Sequence, residues 1–154
     1  MKHSLLFRRA VGAAVFLGAV SATGSVLAEV QQVQGVPSPQ TIASGNAAFI
    51  TAQYDVDTGD NTLTGLGLRL HWDSTKLQFT SLASVLSTGL ISEDATCQDD
   101  TTTDYDGDPA TDCFVNVAWT DLGGDWPNLP LPVSLYTAEF QSLLVDGDST
   151  NVTF

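Results

Sequence analysis

Residues 65 to 72 read Gly-Leu-Gly-Leu-Arg-Leu-His-Trp, with Leu66, Leu68, Leu70 and Trp72 alternating with Gly67, Arg69, His71 and Asp73. Successive side chains of a strand point to opposite faces, so this period of two predicts a strand with one face in a core and the other toward water. Asp73-Ser74-Thr75 then breaks the run, and Leu77 and Phe79 resume an apolar alternation after Lys76. The chain therefore turns here and either pairs back or crosses to a facing sheet. A chain dominated by such stretches has to bury flat surfaces against one another, which limits it to a few layered folds.

Glu29 to Gly35 is a short polar strand candidate ended by Pro37-Ser38-Pro39, which suits an edge or a lead-in. Ala48, Ile50, Ala52, Tyr54 and Val56 alternate with Phe49, Thr51, Gln53 and Asp55, and Thr58-Gly59-Asp60-Asn61 has turn chemistry. With Leu63 to Trp72 as the partner strand, residues 47 to 72 are predicted to form a hairpin. Ser84 to Ser92 reads as a short strand broken at Gly89, and Phe114 to Thr120 as a further strand. Asp121 to Pro132 is a loop by every breaker signal.

Val133 to Leu144 follows as a strand with Tyr136, Ala138 and Phe140 on one side and Leu135, Thr137, Glu139 and Gln141 on the other. Asp146 to Ser149 is a turn, and Asn151 to Phe154 begins one more strand. Outside the first 28 residues there is no 3.6-residue amphipathic period. The expectation is an all-β sandwich of two antiparallel sheets. It is expected to be incomplete at its C-terminal end, with a strand beyond Phe154 and an edge in need of cover.

The first 28 residues have a different character. Lys2, Arg8 and Arg9 precede the apolar run Ala10 to Val20, and Val26-Leu27-Ala28 supplies the short residues a signal peptidase reads. Residues 1–28 are predicted to be a secretory signal peptide, 29–43 a lead-in and 44–154 the folded module. Arg8-Arg9 alone does not choose between export routes.

Removing that segment leaves Arg69 and Lys76 against 18 acids, a net charge of −16 over residues 29–154. Such a surface repels phosphate backbones and anionic headgroups, which argues against nucleic acid and membrane partners and favours cations. Cys97 and Cys113 are the two cysteines, both in the exported part, and an even count in an oxidising compartment predicts a disulfide.

Glu93 to Asp112 holds eight acids in twenty residues and is predicted to be an excursion from the sheet surface that adds nothing to a core. Within it, Asp104, Asp106, Asp108 and Asp112, with Asp99 and Asp100 nearby, are the candidate cation ligands. Carboxylates two residues apart can converge on a hard ion such as calcium when a loop curls. The spacing is not that of an EF-hand, because the sixth position from Asp104 is Pro109 and the twelfth Val115. A solvated acidic loop is the competing account.

Trp126, in a loop beside Asp125 and Asn128, is the candidate sugar-stacking residue, weighed against a role as a plug over the end of the sandwich. His71 has no second histidine to work with in the exported part, and Arg69, His71 and Asp73 read as a surface polar row. No Gly-x-Ser-x-Gly elbow is present, and acids gathered in one loop of a small sandwich make a poor glycosidase cleft. No catalytic residue is assigned.

The order from Ala47 to Val56 and then Leu63 to Phe79, with Trp72-Asp73-Ser74-Thr75-Lys76-Leu77 between two strands, resembles the first half of a bacterial cohesin module. Val133-Ser134-Leu135-Tyr136-Thr137-Ala138-Glu139-Phe140 is similar to a late strand of the same modules. The resemblance spans residues 44 to 154. It implies a jelly-roll sandwich of the carbohydrate-binding and cohesin type that is secreted or on the cell surface, and non-enzymatic. Such a module attaches a dockerin-like protein through a sheet face. The alternatives are a polysaccharide-binding module, with or without calcium, and an adhesin segment stiffened by calcium.

Overall fold

A computed structural model describes residues 30–57 and 62–154. The predicted signal peptide and the predicted turn Thr58 to Asn61 lie outside the described residues. Among the described residues there are ten strands: β1 (Gln31–Val36), β2 (Ala47–Val56), β3 (Thr62–Leu63), β4 (Gly65–Trp72), β5 (Leu77–Ala83), β6 (Leu90–Asp99), β7 (Cys113–Thr120), β8 (Trp126–Pro127), β9 (Val133–Ser142) and β10 (Val152–Thr153). They form two four-stranded sheets, β1-β2-β9-β5 and β10-β4-β7-β6, and a two-stranded ribbon, β3-β8. All pairings are antiparallel. The all-β sandwich expected from the alternation is the architecture found.

The core lies between the two sheets. The first contributes Ala52, Tyr54, Leu77, Leu135, Tyr136, Ala138 and Phe140, and the second Leu68, Leu70, Trp72, Val115, Val117 and Trp119. Aromatic rings bridge the layers. Trp72 packs on Phe79 and Phe140 with centroids 5.3 and 5.5 Å apart, and Trp119 stacks on Tyr136 at 6.4 Å. Large side chains fill the space between sheets, and pairs in these geometries add to the burial term.

The hairpin expected over residues 47–72 is not formed. β2 pairs with β1 and β9, whereas β4 pairs with β7 and β10 in the opposite sheet. Each of the two strands has an apolar face, and stacking those faces across the core buries both, which edge-to-edge pairing does not do. Between them, Thr62 and Leu63 pair with Pro127 and Trp126.

The turn after β4 likewise takes the chain across, from the second sheet to the first. Asp73 Oδ1 accepts bonds from the Thr75 N–H at 2.9 Å and the Thr75 hydroxyl at 2.6 Å. The Asp73 carbonyl receives the N–H groups of Lys76 and Leu77. Asp112, 38 residues away, takes the N–H and hydroxyl of Ser74, each at 2.6 Å. An aspartate that bonds its own backbone two residues on is ordinary turn chemistry, and here it sets the crossover.

Two further expectations change. Leu90 to Asp99 is not an excursion but the edge strand β6, and the buried Asp100 and Thr111 lie in the segment that follows it. An edge strand can stay polar on both faces, and its acids discourage pairing with another chain. The strand expected over Ser84 to Ser92 begins only at Leu90. Before it, Gly89 has φ +75°, and a Cβ there would sit 2.7 Å from the Thr120 carbonyl oxygen and 3.0 Å from the Trp126 ring, so only glycine fits.

Candidate functional site

The register of the second sheet defines what its outer face carries. Directly opposed residues share a face, so Gly67 of β4, Ala118 of β7 and Ser92 of β6 form one row. Arg69, Asn116 and Asp94 form the next, and Thr153, His71, Phe114 and Gln98 the third. Inward side chains of the same strands belong to the core, which leaves these rows to whatever lies outside.

Over the third row folds the loop of residues 100–112. The His71 ring nitrogen Nδ1 lies 2.7 Å from Asp100 Oδ2, and both side chains are buried. Asp100 Oδ1 accepts the Tyr105 N–H at 3.1 Å. Tyr105 stands edge-on to Phe114, with ring centroids 5.6 Å apart. Asp106 accepts hydrogen bonds from the hydroxyls of Thr111 and Thr153 and from the Asp108 N–H, which ties the loop to β10. Burial alone raises the pKa of Asp106. The Thr153, Asp108 and Thr111 donors and the neighbouring His71 outweigh it and hold this carboxyl below the usual range.

His71 was expected in an exposed polar row and is instead 2% exposed. Its strand position does point outward, as the alternation requires, but a loop 29 residues later covers it.

Arg69 occupies the row next to that cover. Its guanidinium lies 4.1 Å from the Tyr105 ring centroid and 5.3 Å from that of Phe114. Among the described residues its charged end has no carboxylate within ion-pair distance. Beyond it, Gly67 and Ala118 leave a shallow trough of about 470 Å³ between Arg69, Tyr105, Asp106 and Phe154. A Cβ on Gly67 would meet nothing within 4 Å, so the floor there is open.

The outer face of the first sheet is different. Thr51 and Thr137 face each other with hydroxyls 2.9 Å apart, Ser81 donates to Glu139 at 2.9 Å, and Gln53, Gln78 and Gln141 lie nearby in the register. Phe49, opposite Glu139 in the register and 48% exposed, places one apolar side chain among these polar ones.

The residues singled out from the sequence separate. Cys97 and Cys113 form a disulfide that joins the edge strand to β7. Of the candidate cation ligands, Asp106 and the nearby Asp100 enter a group with metal-ligand geometry, and their companion is His71, with donor atoms within 4.8 Å of one another. Asp112 is taken up by Ser74, and Asp108 by the Ala110 N–H. The four aspartates do not converge.

Trp126 is 1% exposed, with its indole N–H donated to the Thr88 carbonyl at 3.0 Å. Its ring packs between Tyr54 and Trp119, at 5.6 and 5.8 Å. Asp125 and Asn128 are exposed beside it with no ring face to share. A sugar platform needs an open aromatic face, so of the two roles weighed for Trp126 the sugar-stacking one is corrected and the burial is that of the plug. The Arg69 and Tyr105 stack had no sequence signal, because its members are 36 positions apart with the strands β5 and β6 between them.

No family model matches this chain, and no curated protein matches it. Among solved structures, the second type II cohesin module from the adaptor ScaA scaffoldin of Acetivibrio cellulolyticus is similar, with a TM-score of 0.45 and 14% sequence identity. The match covers 84% of this chain and 72% of that one.

Proposed function

We propose that this chain is an exported, non-catalytic binding module that attaches a protein partner to the outer face of the β10-β4-β7-β6 sheet, as part of a scaffold or surface protein. The observation that carries the reading is the trough on that face. Gly67 and Ala118 leave its floor low and accessible, and the loop of residues 100–112 builds one wall, held by the His71 and Asp100 bond. A protein interface needs a surface on which backbones can approach closely around a few anchored side chains. The opposite face carries mainly threonine and glutamine around the exposed Phe49. The resemblance of Trp72 to Leu77 to cohesin modules, the predicted signal segment and the disulfide support export and attachment. The burial of Trp126 removes the feature that favoured polysaccharide.

The test is interface mapping with variants that fill the trough. Residues 29–154 are immobilised and exposed to the secreted proteins of the source organism and to a panel of insoluble glycans. Gly67→Trp and Ala118→Trp are expected to abolish retention of the protein partner, and Gln53→Trp on the other sheet to leave it intact. Retention on glycans that survives both trough variants, or a partner lost only with Gln53→Trp, overturns the reading.

A further inference from the structure

We infer that Arg69 is the specificity-determining residue of this face, and that the docked partner presents one carboxylate to it from an otherwise neutral or basic surface. The inference rests on the docking reading above and adds the chemistry of the partner.

Arg69 is the sole arginine of residues 29–154, in a stretch with 18 acids. In so acidic a chain an exposed guanidinium would be expected to find a carboxylate of its own. Asp94 shares its row across β7, and Asp106 lines the same trough. Both are committed elsewhere. Asp94 takes the Thr96 N–H, the Thr96 hydroxyl and the Gln98 amide, and Asp106 takes Thr111, Thr153 and the Asp108 N–H. The nearby acids are therefore engaged by neutral donors, while the guanidinium rests against Tyr105 and Phe114.

Stacking of this kind uses the flat face of the group and leaves the N–H donors along its edge free. It also restricts a long side chain before binding, which lowers the ordering cost of the contact. A planar fork of N–H donors matches a carboxylate in two parallel bonds. The small residues of the neighbouring row, Gly67 and Ala118, let a partner backbone come close enough to deliver that group.

Charge complementarity sets the rest of the partner. A net charge of −16 over residues 29–154 repels a surface that is acidic throughout. One carboxylate in a neutral or basic setting satisfies both the long-range field and the local donor.

The experiment pans a displayed library of random 12-residue peptides on residues 29–154 and on the Arg69→Gln, Arg69→Lys and Ala118→Trp variants, with thermal melts confirming that each is folded. Peptides displaced by Ala118→Trp are expected to carry Asp or Glu at one fixed position. Their affinity should fall roughly 10- to 100-fold on Arg69→Gln, the scale of losing a charge-assisted pair. Arg69→Lys is expected to recover only part of it. Replacing the peptide acid by its amide should cost the wild type as much and Arg69→Gln nothing. Trough-dependent peptides with no fixed acid, or equal affinity for wild type and Arg69→Gln, overturn the role of Arg69 and leave the docking face standing. A library with no clone sensitive to Ala118→Trp overturns both.

Discussion

The His71 ring and the Asp100 carboxylate meet at 2.7 Å beneath the loop of residues 100–112, and neither residue is more than 2% exposed. One sits in the middle sheet position β4 and the other just past the edge strand β6, so their bond fastens the acidic segment to the sheet. Asp100→Ala leaves a buried nitrogen without its partner, which costs about 1–3 kcal/mol. Urea denaturation is expected to show a lower midpoint, together with faster amide exchange across residues 101–108.

Trp126 closes the end of the sandwich near β3 and the β5–β6 connection. Trp126→Ala is expected to destabilise by about 3–5 kcal/mol, the usual cost of truncating a buried large aromatic. Leu122→Ala, four residues earlier and 95% exposed, is expected to change the denaturation midpoint negligibly. Equal effects of the two would mean that Trp126 is not core.

Tyr136 presents the opposite situation, a buried hydroxyl among apolar neighbours with no hydrogen-bond partner among the described residues. Burial pushes its phenol far above the usual range. Tyr136→Phe removes the desolvated oxygen and keeps the ring stack on Trp119. Stability is expected to hold or to rise by up to about 1 kcal/mol, and a loss above that in thermal melts would reveal a partner for the hydroxyl.

Acid weakens the fold through specific carboxylates. The Thr96 hydroxyl and N–H lower the pKa of Asp94, the Thr101 hydroxyl and N–H lower that of Asp99, and Asp106 is lowered despite its burial. A carboxyl with a depressed folded pKa adds stability above its unfolded pKa, about 3.9, and loses it as pH falls through the folded value. Denaturation midpoints are expected to be flat with respect to these groups above about pH 5 and to drop below about pH 4. In Asp106→Asn the drop should be shallower, and NMR signals of Val152 and Thr153 should lose their acid dependence.

The Cys97 and Cys113 bond closes a loop of 16 residues in separation. Cys97→Ser with Cys113→Ser is expected to cost roughly 3 kcal/mol in the chain-entropy account. Proteolysis should then cut β6 before β7, because β7 has a neighbour on both sides and β6 on one.

Local structure was legible wherever the cause was local. Asp73-Ser74-Thr75, Asp94-Ala95-Thr96 and Asp99-Asp100-Thr101 all make the same closure, with the first aspartate accepting the N–H and the hydroxyl of the threonine two residues on. The apolar alternation of Ala48 to Val56 placed Ala48, Ala52, Tyr54 and Val56 in the core, as the period requires. The hairpin expected over residues 47–72 failed because alternation says which face of a strand is buried and is silent on which strand lies beside it. The acidic segment was misread for a related reason. Its polarity excludes a two-sided core position, yet an edge strand and a loop covering a sheet face both accept it.

By itself the sequence determined the class of fold, the inward faces of β2 and β4, the turn at Asp73 and the pairing of the two cysteines. All of these follow from periodicity, side-chain hydrogen-bonding reach or a count of two. In β9 the sequence put Leu135 on the outer side, where the structure buries it beside Tyr136. Only the tertiary structure decided that His71 is covered, that Trp126 is core and that Arg69 rests on Tyr105 beside an open trough. Each depends on contacts between residues 29 to 72 positions apart, brought together by burying two sheets against each other. Side chains on the outer face of a sheet carry no pattern that tells whether a distant loop will return to cover them.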